Sequence, residues 1–205
     1  MLLEARYFRL TDDVSVPGRW ELGVPVDQQG RELDDPWIFK NGVPVHLHGR
    51  LRVPIKLHSK PLDFSLAGIG VAPVVHVNVA SLLKELAPDD VQLFPVDIDG
   101  QPDQFCILNV TRVVKCIDDE ASEEVSYWTP EDGRPEKVGL YESVHGMRID
   151  PTKVGAARLF RTWGWTIALI VSEEIKEALE CIRASGTKFK EGIHSAERCR
   201  GAAQM

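Results

Sequence analysis

The residues able to do chemistry fall into three groups, and their spacing decides what each can do. His46 and His48 stand two apart in "VPVHLHGR", and His58 follows. On a strand that spacing turns both rings to one face, which is how a metal site can begin. Structural zinc needs four ligands, and a zinc protease carries H-E-x-x-H or H-x-x-E-H spacing. Neither occurs near these residues. They read as surface histidines of a strand, and no metal is expected.

The second group is Cys106, Cys116, Cys181 and Cys199, which have no C-x-x-C pair and no finger spacing. A nucleophilic cysteine must be a thiolate beside a base. Cys106 and Cys116 instead lie in apolar, strand-like surroundings that raise a thiol pKa, so they read as buried structural residues. In an extended chain the two are roughly 33 Å apart, too far for a disulfide. Free thiols suit a reducing compartment, and a cytoplasmic protein is expected. The chain has no G-x-S-x-G elbow, and Gly68 and Gly70 of "LAGIGVAP" lead to Pro73 and a strand rather than into a helix. Neither a serine nucleophile nor a phosphate cradle follows, and no catalytic residue or cofactor is expected.

The third group is acidic: Asp118, Asp119 and Glu120, then Glu123 and Glu124, then Glu131 and Asp132. A glycosidase pair needs two carboxylates across a cleft, one with a raised pKa. Neighbouring carboxylates in a polar run read instead as solvated loops. Tyr127 and Trp128 lie among them, and this combination suits protein docking, with aromatics as anchors and carboxylates for steering. The whole chain has 24 Lys and Arg against 31 Asp and Glu, a net charge of -7. That balance works against binding along nucleic acid and suits a basic protein partner.

The elements that must position these groups are mostly strands. Residues 14–61 are broken every few positions by Pro or Gly, so only short strands and turns fit there. Glu4 to Leu10 alternates as a first strand. In "VVHVNVASLLKELAPDD", Asn78 reads as the cap of a short helix in which Val79, Leu82, Leu83 and Leu86 recur, closed by Pro88. "VQLFPVDI" and "FCILNVTRVVKCI" flank the turn Asp99-Gly100 and predict a hairpin. "WTIALIVS" predicts a buried strand, after which Ser172 caps a helix from Glu173 to about Ala184. Glu173 and Glu174 suit that helix's positive end, Gly186 its left-handed exit, and "TKFKEG" a closing strand.

The expected class is therefore α+β: a largely antiparallel sheet with two or three short helices and a loop-rich N-terminal part. A single domain over residues 1–190 is expected, with a possible subdivision near residues 59–73 and a disordered tail over 191–205. Trp163 and Trp165 flank Gly164 beside the buried strand and read as core, so replacing Trp163 should harm folding before binding. No apolar run approaches the roughly 20 residues of a membrane helix, and "MLLEARYFRL" lacks the apolar stretch of a signal peptide.

Several segments resemble a bacterial family of immunity proteins of polymorphic toxin systems, numbered eleven among such families and expanded in myxobacteria. "FCILNVTRVVKCIDDE", "YWTPEDGRPEK" and "RTWGWTIALIVSEEIKEALE" carry the likeness, joined by "DDPWIFKNGVPV", "PLDFSLAGIGVAPVV" and "LLKELAPDDVQLFPV". It spans Arg19 to Phe189. The resemblance implies a non-enzymatic protein that binds and blocks a cognate toxin domain, in the manner of a toxin–antitoxin pair. It carries over no catalytic or binding residue. Two other readings stay open on the residues alone. One is an inhibitor that holds a secreted enzyme such as a protease; the other is a hydrolase using the clustered carboxylates or His46 and His48.

Overall fold

The computed structural model describes residues 5–190, apart from Ile69 and Val71. The tail over 191–205, and Cys199 with it, lies outside the described residues. In chain order the strands are β1 (Tyr7–Asp12), β2 (Glu21–Leu22), β3 (Leu51–Arg52), β4 (Ile55–Leu57), β5 (Phe64–Ala67) and β6 (Ala72–His76). Helix α1 (Val77–Leu86) follows, then β7 (Val91–Ile98), β8 (Gln101–Val110), β9 (Val113–Val114), β10 (Glu124–Tyr127) and β11 (Tyr141–His145). The chain continues through β12 (Leu159–Thr162), β13 (Trp165–Ser172), α2 (Glu173–Cys181) and β14 (Thr187–Lys190).

These strands form two five-stranded sheets, β14-β1-β13-β12-β9 and β3-β7-β8-β6-β5, with β10-β11 and β2-β4 as separate pairs. Pairing is antiparallel except for β9 with β12 and β3 with β7. The fold is the α+β, antiparallel-rich arrangement that the sequence predicts.

The second sheet is covered on both faces, which explains the unbroken apolar run of β8. Phe105 and Ile107 enter a core with Trp20, Phe39, Val53 and Val74. Cys106, Leu108 and Val110, pointing the other way, enter a larger core with α1, α2 and the first sheet. The Pro- and Gly-rich front of the chain is thus a lid on one face of β8. Its Trp20 Nε1 donates to Ser65 Oγ at 2.8 Å, which satisfies the indole while it is buried.

Each sheet contains a strand, helix and strand with a third strand inserted. β8 lies between β6 and β7 and runs antiparallel to both, and β1 stands in the same relation to β13 and β14. The cap residues at the two strand-to-helix junctions have nearly the same backbone conformation: His76 has φ -65°, ψ 152° and Ser172 has φ -68°, ψ 161°. Ser172 Oγ accepts from the Ile175 N–H at 3.4 Å, as the sequence predicts. At α1 the cap is His76, whose Nδ1 accepts from the Asn78 N–H at 3.3 Å, so Asn78 is already helical. β6 turns into α1 with no intervening loop, and the cap falls two residues earlier than composition suggests.

Two aspartates join the sheets. Asp90, buried beyond α1, accepts from the backbone N–H groups of Arg158 at 2.9 Å and Leu159 at 3.2 Å and from Arg112 Nε at 3.0 Å. Asp63 Oδ2 accepts from the Ser185 N–H at 2.8 Å and hydroxyl at 2.6 Å, while the Phe64 N–H donates to the Ser185 carbonyl at 3.0 Å. This second contact reaches from the α2–β14 turn to residues 59–73, where the sequence suggests a subdivision. Gly186 makes it possible: its φ is +82°, and a Cβ there would sit 2.2 Å from the Phe64 carbonyl oxygen.

Asp90→Ala would strand two backbone donors at the junction of the sheets. We expect a loss of about 3 kcal/mol in urea unfolding. A loss below about 1 kcal/mol would show that the junction does not rest on this carboxylate.

Candidate functional site

The acidic segment becomes a site through the β10–β11 pair. Glu124 faces His145, and after a register shift between Ser126 and Tyr127, Tyr127 faces Tyr141. The shift puts both tyrosines on one face, where the rings stack with centroids 4.7 Å apart and planes at 29°. Both hydroxyls converge on Asp119: Tyr141 donates to Oδ1 at 2.6 Å and Tyr127 donates to Oδ2. The turn carrying Asp119 is itself pinned. Asp118 donates its N–H to the Arg148 carbonyl at 2.9 Å, and its Oδ1 accepts from the Ala121 N–H at 3.1 Å.

Trp163 completes the wall, and here the structure corrects the sequence reading. Thr162 pairs with Trp165, so Trp163 and Gly164 are the two turn residues of the β12–β13 hairpin, not strand residues sharing a buried face. Gly164 takes φ +78°, as the second position of such a turn favours, and lies so close to Tyr141 that a Cβ would sit 2.9 Å from its ring. Trp165 packs against the main core, whereas Trp163 is 38% exposed with Lys115 Nζ 4.4 Å from its ring centroid. Trp163 is therefore a surface aromatic on a fixed hairpin.

Between these walls lies an open groove of about 550 Å³. Asp118, Asp119, Glu120 and Asp150 face it against Lys115 and Lys153, leaving it acidic. Tyr127, Tyr141 and Trp163 supply its flat surfaces. Of the sequence-selected residues, Asp118, Asp119, Glu120 and Tyr127 come together here. Glu123 and Glu124 lie toward the opposite end of the hairpin, and Glu123 lines another cavity. Trp128 packs under Lys137, whose Nζ is 4.9 Å from its ring, and Glu131 stands exposed in a short turn. Asp132 is a cap: its Oδ2 accepts from the Thr129 N–H at 2.7 Å and hydroxyl at 2.8 Å, and these bonds lower its pKa.

Sequence reasoning missed Tyr141, Asp150, Lys115 and Lys153. The alternation of "EVSY" and "YESVH" signals a strand pair, but regular pairing would put Glu142 opposite Tyr127, and only the register shift brings Tyr141 there.

The aspartate carboxylates of the groove are already hydrogen-bonded within the protein. Both Asp119 oxygens are taken by phenol hydroxyls, and Asp150 Oδ1 accepts from the Thr152 N–H at 3.0 Å and hydroxyl at 2.6 Å. Those hydrogen bonds hold the Asp150 carboxyl below its usual range. Burial raises the thiols of Cys106 and Cys116, the latter to about 12 with Asp150 adding to the shift, and both are structural as the sequence predicts. His46, His48 and His58 are exposed in irregular chain rather than on one strand face, because the Pro and Gly around them leave no room for a ladder. Among the described residues no three His, Cys, Asp or Glu side chains gather as metal ligands do. No helix among them is long and apolar enough to cross a membrane.

The tyrosine–aspartate contact has a pH signature. Burial, then the hydrogen bond to Asp119, raises the pKa of both Tyr127 and Tyr141, and burial raises that of Tyr7. A raised folded pKa gives stability that is present below about pH 10 and lost as pH climbs past it. An ultraviolet titration of the folded protein should show little tyrosinate at about pH 10, where a free phenol is half ionised. Asp119→Asn should move two of the three transitions down and leave that of Tyr7; unchanged titration would mean the hydroxyls do not meet Asp119 in solution.

The same stretch of chain carries the likeness to known proteins. A family model described as Immunity protein family (Imm11) matches residues 74–193. No curated protein matches the chain. The matched region runs from β6 through β14 and includes every residue that lines the groove. With more than half of its length matched, the chain belongs to the Imm11 immunity protein family.

Proposed function

We propose that this protein is a non-enzymatic immunity protein that binds and neutralises a cognate toxin in the cytoplasm, using the groove at Asp119, Tyr127, Tyr141 and Trp163. The observation that carries the reading is Trp163. It is a large aromatic side chain held partly exposed on a rigid turn, beside stacked tyrosines, inside the region that matches the family. Exposed aromatics on fixed backbone serve as anchors because little side-chain entropy is lost when a partner covers them.

The carboxylates supply the other half. Asp118, Glu120 and Asp150 stand around the aromatics, and the chain as a whole carries -7. Such a surface steers a basic partner and raises the association rate, while the buried aromatic contacts hold the complex. The toxin is thus expected to present a basic patch with an apolar centre. Binding would be one to one, and its block would be steric. The engagement of Asp119 by two hydroxyls supports binding over acid–base work, since both of its oxygens already hold the two tyrosine rings in place as a wall of the groove.

The test is affinity for the toxin encoded beside this gene, measured by biolayer interferometry with purified proteins. Trp163→Ala is expected to weaken binding by about 2 kcal/mol, roughly thirtyfold, with an unchanged melting temperature. Neutralising Asp118 and Glu120 together should slow association, and the effect should shrink in high salt. Unchanged affinity in Trp163→Ala would remove the groove from the interface. Failure of the neighbouring gene product to bind or to be toxic would remove the function.

A further inference from the structure

A second cavity lies at the far end of the β10–β11 hairpin and has the opposite charge. It has a volume of about 380 Å³ and is lined by Arg9, Glu123, His145, Arg148, Trp165 and Lys190 among others. These cations come from three places in the chain: β1, the segment after β11, and the end of β14. Elsewhere the arginines of this acidic protein are mostly paired. Arg6, Arg19, Arg31, Arg112 and Arg158 each hold a carboxylate within 3.2 Å. Among the described residues Arg9, Arg148 and Lys190 have no carboxylate within 4 Å, although Glu123 lines the same cavity.

Arg9 is the least satisfied of them. Its guanidinium lies 5.2 Å from the Trp165 ring centroid, and its Nε is sealed from solvent with no hydrogen-bond partner. Burial alone lowers its pKa, with no neighbouring acid acting in the other direction. A half-buried guanidinium with an unfilled donor, in a cavity that two further cations also line, calls for an acceptor from outside. Glu123 does not supply it. Its side chain lies across Gly146, where a Cβ would be 2.3 Å from its Cγ and Cδ, and it makes no ion pair with Arg9.

We propose that this cavity is a binding site for a phosphate group, with Arg9, Arg148 and Lys190 as its ligands and Trp165 as its apolar wall. Three cations against one carboxylate leave a surplus of two positive charges. A phosphate monoester carries about -1.5 to -2 at neutral pH and balances that surplus, whereas a single carboxylate does not. Arginine binds phosphate through paired N–H groups, and the Arg9 guanidinium lines this cavity with its Nε–H sealed from solvent and still without an acceptor. The cavity also exceeds by about tenfold the roughly 30 Å³ share of one water, so an organic group on the phosphate has room beside Trp165. This site does not depend on the toxin-binding groove, which lies at the other end of the hairpin.

The experiment follows the Arg9 Nε–H resonance in a nitrogen–proton correlation spectrum of the full chain, assigned by its loss in Arg9→Lys. Inorganic phosphate, phenyl phosphate and acetate are titrated separately at constant ionic strength set with chloride. The resonance should shift saturably with both phosphates and far more weakly with acetate. Tighter binding of phenyl phosphate would identify an organic phosphate as the ligand class, and equal binding would identify free phosphate; either supports the site. Arg148→Ala and Lys190→Ala, both toward the surface, should each weaken binding about tenfold and leave the spectrum of the core intact. If Arg9→Lys fails to fold, the resonance is assigned through its bonded carbons in a carbon- and nitrogen-labelled sample, independently of any titration. No saturable shift with either phosphate, acetate binding as tight as phosphate, or unchanged binding in the Arg148→Ala, Lys190→Ala double variant would overturn the proposal.

Discussion

A strand buried on both faces needs two layers to cover it, and β8 imposes that requirement on the chain. Phe105 and Ile107 need the Pro-rich front of the protein, and Cys106, Leu108 and Val110 need the helices and the other sheet. Once the two sheets face each other across α1 and α2, their junction needs polar connections, because backbone donors at strand ends cannot be left dry. Asp90 and Asp63 meet that need with carboxylates that take N–H groups from the opposite sheet. The hairpins that carry the groove are extensions of this frame. β12 and β13 belong to the first sheet, and Gly164 rests against Tyr141 of β11.

The groove is consequently preorganised. Tyr127, Tyr141 and Asp119 fix one another through a stack and two hydrogen bonds, so the surface they form is held in one geometry. Preorganisation lowers the ordering cost of association for any partner that covers such a surface. The charge layout adds direction: acidic at the groove, basic in the cavity with Arg9. One hairpin therefore presents opposite charges at its two ends, a distribution that the net value of -7 conceals.

What was legible in the sequence was mostly local. Ser172 before Glu173 and Glu174, Gly186 after the helix, and Asp99-Gly100 between two apolar runs are signals in which the deciding groups lie within a few residues. "FCILNV" announced a buried strand because both of its faces are apolar. Signals that depend on distant partners were lost. β1 slots between β13 and β14 by pairing with residues more than 150 positions away, and only its apolar alternation hinted that it is a strand. Trp163 reads as core because it stands beside the apolar run "TIALIVS", but the turn at Gly164 carries it out of the strand. Tyr141 was missed because a register shift in β10 decides which residue faces it. The acidic run was correctly located as a surface feature, but composition gave no means of separating Asp119, clamped by two tyrosines, from Asp132, which caps a turn.

The central claim is that a partner toxin covers the aromatic groove. Hydrogen–deuterium exchange of the free protein and of its complex with the neighbouring toxin tests it directly. The account predicts slowed exchange over residues 115–120, 127–141 and 162–165, with the front face around β2 and β4 unchanged. Protection confined to that front face, or to the α1 surface, with none at Trp163 or Tyr127, would contradict it.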